Sequence, residues 1–402
     1  MINIKKLSLI PLSIFFLNYT ALAAQVEISV STDGKYAVSA DGKQNTYLYN
    51  LSDKKINRIN SNKVNPYSPN FIEDTDNFIY QDTDNKVYIV NADTQKVIKS
   101  FQGVPKSFNQ AVNKDMNIYT YMTRGGYIHI AKIVDGKLKN TYSYGNQFMN
   151  MQMNTIPKFY DNKVIATTSK DSLLIFDLDK VFKDDKYTPI KISENSGATV
   201  NAISPDGRYV YTLDNRALGI KYDLKSNKQV IFKDNTQNPN NFALNFSDES
   251  QKVIQEINRI KMPIKIGTNF KFIDKDKILA TGSSTQPFLW VGLYDINIKQ
   301  MPVGKDFMFA TMPIIKYLPL TKDPLKFMEG NYRNNTDPYP SLGDYNTTFD
   351  TSVKAHKLVT SSGRGIMVYN YNPSDETLKL DWVGEPPKVE EKKEEKSKGW
   401  FW

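Results

Sequence analysis

Cysteine is absent from all 402 residues. That excludes disulfides, a thiol nucleophile, thiolate-bound zinc and a lipid joined to an N-terminal cysteine. Histidine is almost as scarce, with only His129 and His356. They form no His-x-x-x-His or Glu-His cluster, so the sequence asks for no metal and no cofactor. No Gly-x-Ser-x-Gly elbow and no phosphate-cradling glycine loop occurs, and Gly363-Arg364-Gly365 reads as a tight turn between strands. Beyond the N-terminus no stretch approaches 18 apolar residues, so no transmembrane segment is expected in the mature chain.

The N-terminus itself has the pattern of an export signal. Lys5 and Lys6 form a basic start, Leu7 to Leu17 an apolar run, and Ala21-Leu22-Ala23 the small residues that precede cleavage. A signal peptide over residues 1–23 is expected, with the periplasm as destination and the extracellular space as the alternative. An exported chain without disulfides needs a large core to hold its fold. The 52 basic and 43 acidic residues give a formal charge of +9, or +7 once Lys5 and Lys6 are removed. The basic residues are scattered over the chain. This suits a solvated surface, with peripheral attraction to anionic envelope material as the sharper alternative, and speaks against nucleic acid.

The organising feature is a repeat. An aromatic or β-branched residue followed by Asn or Asp closes an apolar run at Tyr49-Asn50, Val90-Asn91, Phe176-Asp177, Tyr222-Asp223, Tyr294-Asp295 and Tyr369-Asn370. Asn50 and Asn91 are 41 residues apart, Asn91 and Asp177 are 86 apart, and Asp177 and Asp223 are 46 apart. The unit skipped in the middle is Tyr127 to Ile133, where the Asx has been lost. A second mark agrees: Ser31-Thr32-Asp33-Gly34-Lys35-Tyr36 returns as Ser204-Pro205-Asp206-Gly207-Arg208-Tyr209. Asp-Gly favours a turn because glycine reaches positive φ without strain. Seven units of four short strands predict an all-β, seven-bladed propeller over residues 24–384.

With Tyr-Asp or Phe-Asp where WD repeats carry Trp-Asp, and with Ser204 to Tyr211 matching a YVTN-type blade opening, the chain resembles the WD-repeat and YVTN-type propeller families. It lacks the Gly-His pair of strict WD repeats. The resemblance implies a fold and leaves the task open, since propellers host many functions.

The last two gaps, 72 residues from Asp223 to Asp295 and 75 from Asp295 to Asn370, each hold about 30 residues more than one blade requires. Insertions are therefore expected at about 234–266, between blades five and six, and at about 305–345. In the first, Val253, Ile254, Ile257 and Ile260 have helical spacing, which predicts a short helix over Ser247 to Lys261. The second is rich in Met and aromatic residues, among them Phe307, Phe309, Tyr332 and Tyr339, the side chains adaptable interfaces use. Part of it is expected to supply the inner strand of blade seven near Asn346–Ser352. After Gly384 a charged linker over 385–402 ends in Trp400-Phe401-Trp402, an aromatic anchor for a partner's pocket or a membrane interface.

These features predict an exported, non-catalytic module that binds or scaffolds a protein in the cell envelope. Its expected contacts are Phe307, Phe309, Tyr332, Tyr339, Trp400, Phe401 and Trp402, with no catalytic residue assigned. An alternative is a propeller enzyme acting on a sugar or lactone, by analogy with YVTN-type lactonases. It would need charged groups converging on one mouth of the channel. A binder of cell-wall carbohydrate would instead need an exposed aromatic platform. Glu73-Asp74-Thr75-Asp76-Asn77 and Asp82-Thr83-Asp84-Asn85 lack the glycine and distal glutamate of a calcium loop and read as turns.

Overall fold

Successive side chains on a strand point to opposite faces, so a strand buried along its whole length must have neighbours on both sides. Tyr36 to Asp41 is such a strand, with all six residues buried. Small sheets stacked face to face around a ring meet this requirement. The computed structural model describes residues 25–59, 63–66, 68–123, 127–145, 156–166, 173–184, 186–192, 198–214, 219–231, 266–282, 290–297, 314–320, 348–362 and 365–387. It shows seven four-stranded antiparallel sheets, each built from consecutive strands.

Blade one comprises β1 (Gln25–Val30), β2 (Tyr36–Asp41), β3 (Thr46–Asn50) and β4 (Lys55–Arg58). Blade two comprises β5 (Asn70–Phe71), β6 (Asn77–Gln81), β7 (Lys86–Asn91) and β8 (Val97–Gln102). Blade three follows with β9 (Phe108–Val112), β10 (Ile118–Thr123), β11 (Tyr127–Val134) and β12 (Lys137–Gly145). Blade four holds β13 (Lys158–Tyr160), β14 (Lys163–Ala166), β15 (Leu173–Asp177) and β16 (Ile190–Ile192). Blade five holds β17 (Ala198–Ile203), β18 (Tyr209–Asp214), β19 (Gly219–Asp223) and β20 (Lys228–Ile231). Blade six holds β21 (Ile266–Phe272), β22 (Lys277–Gly282), β23 (Trp290–Asp295) and β24 (Ile314–Pro319). Blade seven ends the series with β25 (Phe349–Ser352), β26 (Lys357–Ser362), β27 (Gly365–Asn372) and β28 (Thr377–Gly384).

The repeat seen in the sequence is a repeated hydrogen bond. The residue after each Asx position donates its N–H to the turn between the first two strands of its own blade. The pairs are Leu51 to Lys35 (2.8 Å), Ala92 to Asp76 (2.8 Å), Ile133 to Asn117 (2.7 Å) and Leu178 to Asn162 (2.9 Å). Leu224 to Arg208 (2.9 Å), Ile296 to Asp276 (3.1 Å) and Tyr371 to His356 (2.7 Å) complete the seven. This places the lost Asx of blade three at Lys132. In blades one, two, four, five and six the Asx side chain caps the next turn. Asn50 Oδ1 accepts from the Ser52 and Asp53 amides, and Asp223 Oδ1 from Lys225 and Ser226.

The Ser-x-Asp-Gly turns are built alike in blades one and five. Ser31 Oγ donates to Asp33 Oδ1 and accepts from Tyr36 N, and Ser204 Oγ does the same with Asp206 and Tyr209. Replacing Ser204 with alanine leaves that amide without its partner. The expected cost is about 1 kcal/mol in urea unfolding, and Ser31→Ala should match it.

Seven hydrophobic clusters fill the seven seams among the described residues. In blade one Val38, Ala40 and Leu48 pack against Val64, Phe78 and Val90 of the blade-two segment. The alternate residues Ala37, Tyr47 and Tyr49 pack against Val359, Ile366 and Val368 of blade seven. Blades two and three meet through Ile89, Phe101 and Tyr119, and blades three and four through Ile130, Leu174 and Phe176. Ile175 with Val210, Tyr211 with Phe272, and Leu293 with Met367 serve the last three seams.

Among the described residues the first and last blades share no strand, so contacts made by side chains close the ring. Tyr49 meets Trp382 edge-on at 6.3 Å, and Asp350 Oδ2 accepts from Val30 N at 2.9 Å. Ser352 Oγ donates to Thr32 O at 2.8 Å, and Lys54 Nζ lies 3.0 Å from Asp381 Oδ1.

One expectation about the insertions changes. The stretch 305–345 is not one insertion, because Ile314–Pro319 within it is β24, the outer strand of blade six. Its apolar residues are used by the core, where Leu318 and Leu320 are buried. The inner strand of blade seven is β25, within the stretch expected for it. The helix expected over 247–261 lies outside the described residues. The described helix is the single turn α1 (Leu178–Val181) between β15 and β16, capped by Asp177, whose side chain accepts from Asp179 N.

Candidate functional site in the central channel

The first strands of the blades line the channel, and their turns share one end of it. Ser31, Ile72, Asn113, Ser204 and Ile273 open these turns by donating to the start of the second strand, at Tyr36, Asn77, Ile118, Tyr209 and Lys277. Tyr160, paired with Lys163, and Ser352, paired with Lys357, are the counterparts in blades four and seven. Two residues earlier lies one level of the ring: Ser29, Asn70, Ala111, Lys158, Ala202, Lys271 and Asp350. Neighbours on this level touch. Ser29 Oγ donates to Asn70 Oδ1 at 3.1 Å, and Lys271 Nζ is 2.9 Å from Asp350 Oδ1.

Glu73, at the turn of blade two, joins this level electrostatically. Burial raises its pKa, opposed by Lys158; Asp74 raises it further, Lys271 lowers it and Asp350 raises it. Lys158 is pushed down to about 8 by burial and by Lys271, with Glu73 and Asp350 opposing. Blades two, four and six face one another only across the channel, so charges from all three can interact only inside it. Glu73 is open to solvent and yet hemmed in by protein, as a channel-lining group is. The site is a charged ring at the turn-side mouth, with Glu73, Lys158, Lys271 and Asp350 drawn from four blades.

In the sequence Glu73 reads only as part of a turn, and Lys158, Lys271 and Asp350 stand out in no motif. The signal was their equivalence, since Lys158, Lys271 and Asp350 each stand two residues before a turn. The contact residues expected from the sequence, Phe307, Phe309, Tyr332, Tyr339, Trp400, Phe401 and Trp402, lie outside the described residues. Their attachment points are nevertheless defined. Segment 298–313 joins the third and fourth strands of blade six, at the turn-side face. Segment 321–347 joins blade six to blade seven, at the opposite face.

His129 has a structural explanation. Its Nε2 lies 3.1 Å from Thr123 Oγ1 and its Nδ1 2.7 Å from Ser143 Oγ, and its ring stacks on Tyr121 at 4.7 Å. The same pair of positions holds Asp41 with Tyr47 in blade one and Asp82 with Tyr88 in blade two, each hydrogen-bonded. His129 thus fills a repeat position between the second and third strands, and burial lowers its pKa. The Asp82 carboxylate is spent on the Lys86 amide and the Tyr88 hydroxyl, the work of a turn residue. His356 Nδ1 lies 3.2 Å from Ile273 O, at the seam between blades six and seven. Among the described residues no group of three or more His, Asp or Glu side chains is placed to hold a metal. No described helix is long and apolar enough to cross a membrane.

These observations define the chain as a seven-bladed β-propeller. Solved structures similar to it include two of Hsv2 from Kluyveromyces lactis, one of them described as having its complete loop 6CD. Each alignment covers 91% of this chain and 100% of the other at 10% identity, with TM-scores of 0.52 and 0.51. At that identity the likeness is one of fold alone. No protein-family model matches the chain, and no curated protein does. In all, 1707 solved chains match it, and a propeller fold does not by itself set the task.

Proposed function

We propose that the protein is an exported propeller that binds or scaffolds another protein in the cell envelope. The observation that carries this reading is where the long connections attach. Residues 232–265 leave blade five after Ile231 and return at Ile266. Residues 321–347 leave blade six after Leu320 and return at Thr348. Both join a fourth strand to the next first strand, so they attach at adjacent seams on one face. Long connections between the blades of a repeat scaffold are usual places for a binding surface. Export rests on the basic and apolar pattern of residues 1–23, and the aromatic terminus Trp400-Phe401-Trp402 supplies a second contact.

Removing residues 399–402 is expected to leave the melting temperature unchanged and to lower co-purification with the partner after crosslinking in the native envelope. Replacing 321–347 with a short linker should lower it further. Equal recovery of the same crosslinked protein from all three forms would count against the reading. Fractionation of the processed chain tests export separately.

A further inference from the structure

One side-chain pair recurs through the first three blades and changes its chemistry in the third. Asp41 with Tyr47, Asp82 with Tyr88 and Thr123 with His129 follow one another at intervals of 41 residues. Each pair joins the end of a second strand to the third strand beside it. Tyr47 OH donates to Asp41 Oδ2 at 3.4 Å, and Tyr88 OH to Asp82 Oδ2 at 3.0 Å. In blade three a hydroxyl stands for the carboxylate and an imidazole for the phenol, with His129 Nε2 3.1 Å from Thr123 Oγ1. The other nitrogen, Nδ1, lies 2.7 Å from Ser143 Oγ, so the half-buried ring ties β10, β11 and β12 together.

The two versions of the pair respond differently to acid. A tyrosine keeps its proton through the neutral range, and an aspartate beside it stays charged well below pH 7. Histidine titrates near neutrality, and here no carboxylate occupies the position of Asp41 and Asp82 to balance an imidazolium. A neutral ring donates through one nitrogen and accepts through the other, so one of the two hydroxyls must donate to it. Protonation makes the accepting nitrogen a donor, and that hydroxyl must turn round. The titratable groups facing the ring are Tyr121 of β10, stacked on it at 4.7 Å, and Tyr127 of β11, at 6.2 Å. Blade two packs on this face through Phe101 and its apolar neighbours. Burial lowers the pKa of the ring, and no charged group among the described residues shifts it further.

We propose that this contact makes blade three acid-sensitive, protonation of His129 loosening the end of β10 and the start of β11 while blades one and two stay closed. The stabilisation from the neutral ring is complete above the ordinary imidazole value of about 6.5. It is lost as pH falls through the lowered folded value. The response requires no partner and no ligand.

Amide hydrogen exchange on the full chain reads each blade separately. Between about pH 7.5 and about pH 5, protection corrected for intrinsic exchange is expected to fall at least about threefold in β10 and β11. It should hold in β6 and β7, where Asp82 and Tyr88 form the equivalent pair. His129→Gln keeps hydrogen bonding but takes up no proton, and should abolish the fall. Thr123→Asp supplies the missing carboxylate, so it should raise the His129 pKa in an NMR titration and remove or reverse the fall. The double variant Thr123→Asp/His129→Tyr rebuilds the pair of blades one and two and should show no fall. If neither Thr123→Asp variant folds, His129→Gln alone decides. A parent whose blade three keeps its protection at about pH 5 overturns the proposal. An equal fall in His129→Gln, or in β6 and β7 of the parent, overturns it too.

Discussion

Gly207→Val is expected to destabilise the protein by more than about 4 kcal/mol, a large share of a typical domain's stability. Gly207 has φ +66, a conformation valine avoids, and a Cβ there would overlap the Tyr160 ring of blade four. Tyr160 stands at the end of β13, so the wedge would push blades four and five apart. Gly34 is its counterpart at the closing seam. Its φ is +70, and a Cβ would lie 2.4 Å from Ala355 Cβ and 2.9 Å from Ser352 Oγ of blade seven. Gly34→Val should therefore be comparably damaging. Gly136 separates the two contributions, because its φ is +69 but its nearest neighbour, Ser100 O, would be 3.6 Å away. Gly136→Ala should cost only about 1 kcal/mol, the conformational part alone. Urea unfolding of the three variants measures the difference, and equal losses would mean that the turns do not pack on the preceding blade.

Val368→Asp is the second large effect. Val368 is fully buried on β27 between Ile28, Tyr49 and the rest of the closing cluster. An aspartate there has no partner and must either ionise unpaired or take up a proton, at a cost of more than about 4 kcal/mol. The sign of its pH dependence follows. Its folded pKa would lie above the unfolded value, so the penalty is largest at neutral pH and shrinks as pH falls through the folded pKa. Val97→Asp on β8 is the control: Val97 is 53% exposed, and the change should fall within about 0.5 kcal/mol. Because no described strand bridges blades one and seven, Val368→Asp should also admit protease at the blade-one edge before the other blades unfold. A protease pattern identical to that of the parent would argue against a closure made by side chains.

Much of this fold could be read in advance because its marks are local. The Asx after each third strand and the serine and aspartate of the Ser-x-Asp-Gly turns act within a few residues of themselves, so their spacing alone counts the blades. Lys132 shows the limit. Blade three keeps its backbone bond from Ile133 to Asn117 without the side-chain cap, and only the neighbouring apolar run betrayed it. The outer strand β24 was hidden for a different reason: Ile314 to Pro319 follows a long segment and carries no turn signal, so its residues read as insertion. The channel site was least visible. Glu73, Lys158, Lys271 and Asp350 are ordinary charged residues in a chain holding 95 of them, counting 52 basic and 43 acidic. Only closure of the ring brings blades two, four, six and seven to one mouth.

The central claim is that blade one and blade seven are neighbours in one chain. A zero-length carbodiimide couples only an amine and a carboxylate already in contact. Lys54 Nζ lies 3.0 Å from Asp381 Oδ1 across the closing seam, and Lys35 Nζ lies 3.4 Å from Asp93 Oδ1 between blades one and two. Mass spectrometry of the crosslinked monomer should find both joined peptides. Recovery of Lys35–Asp93 without Lys54–Asp381, or of Lys54–Asp381 only in a dimer, would contradict the closed ring.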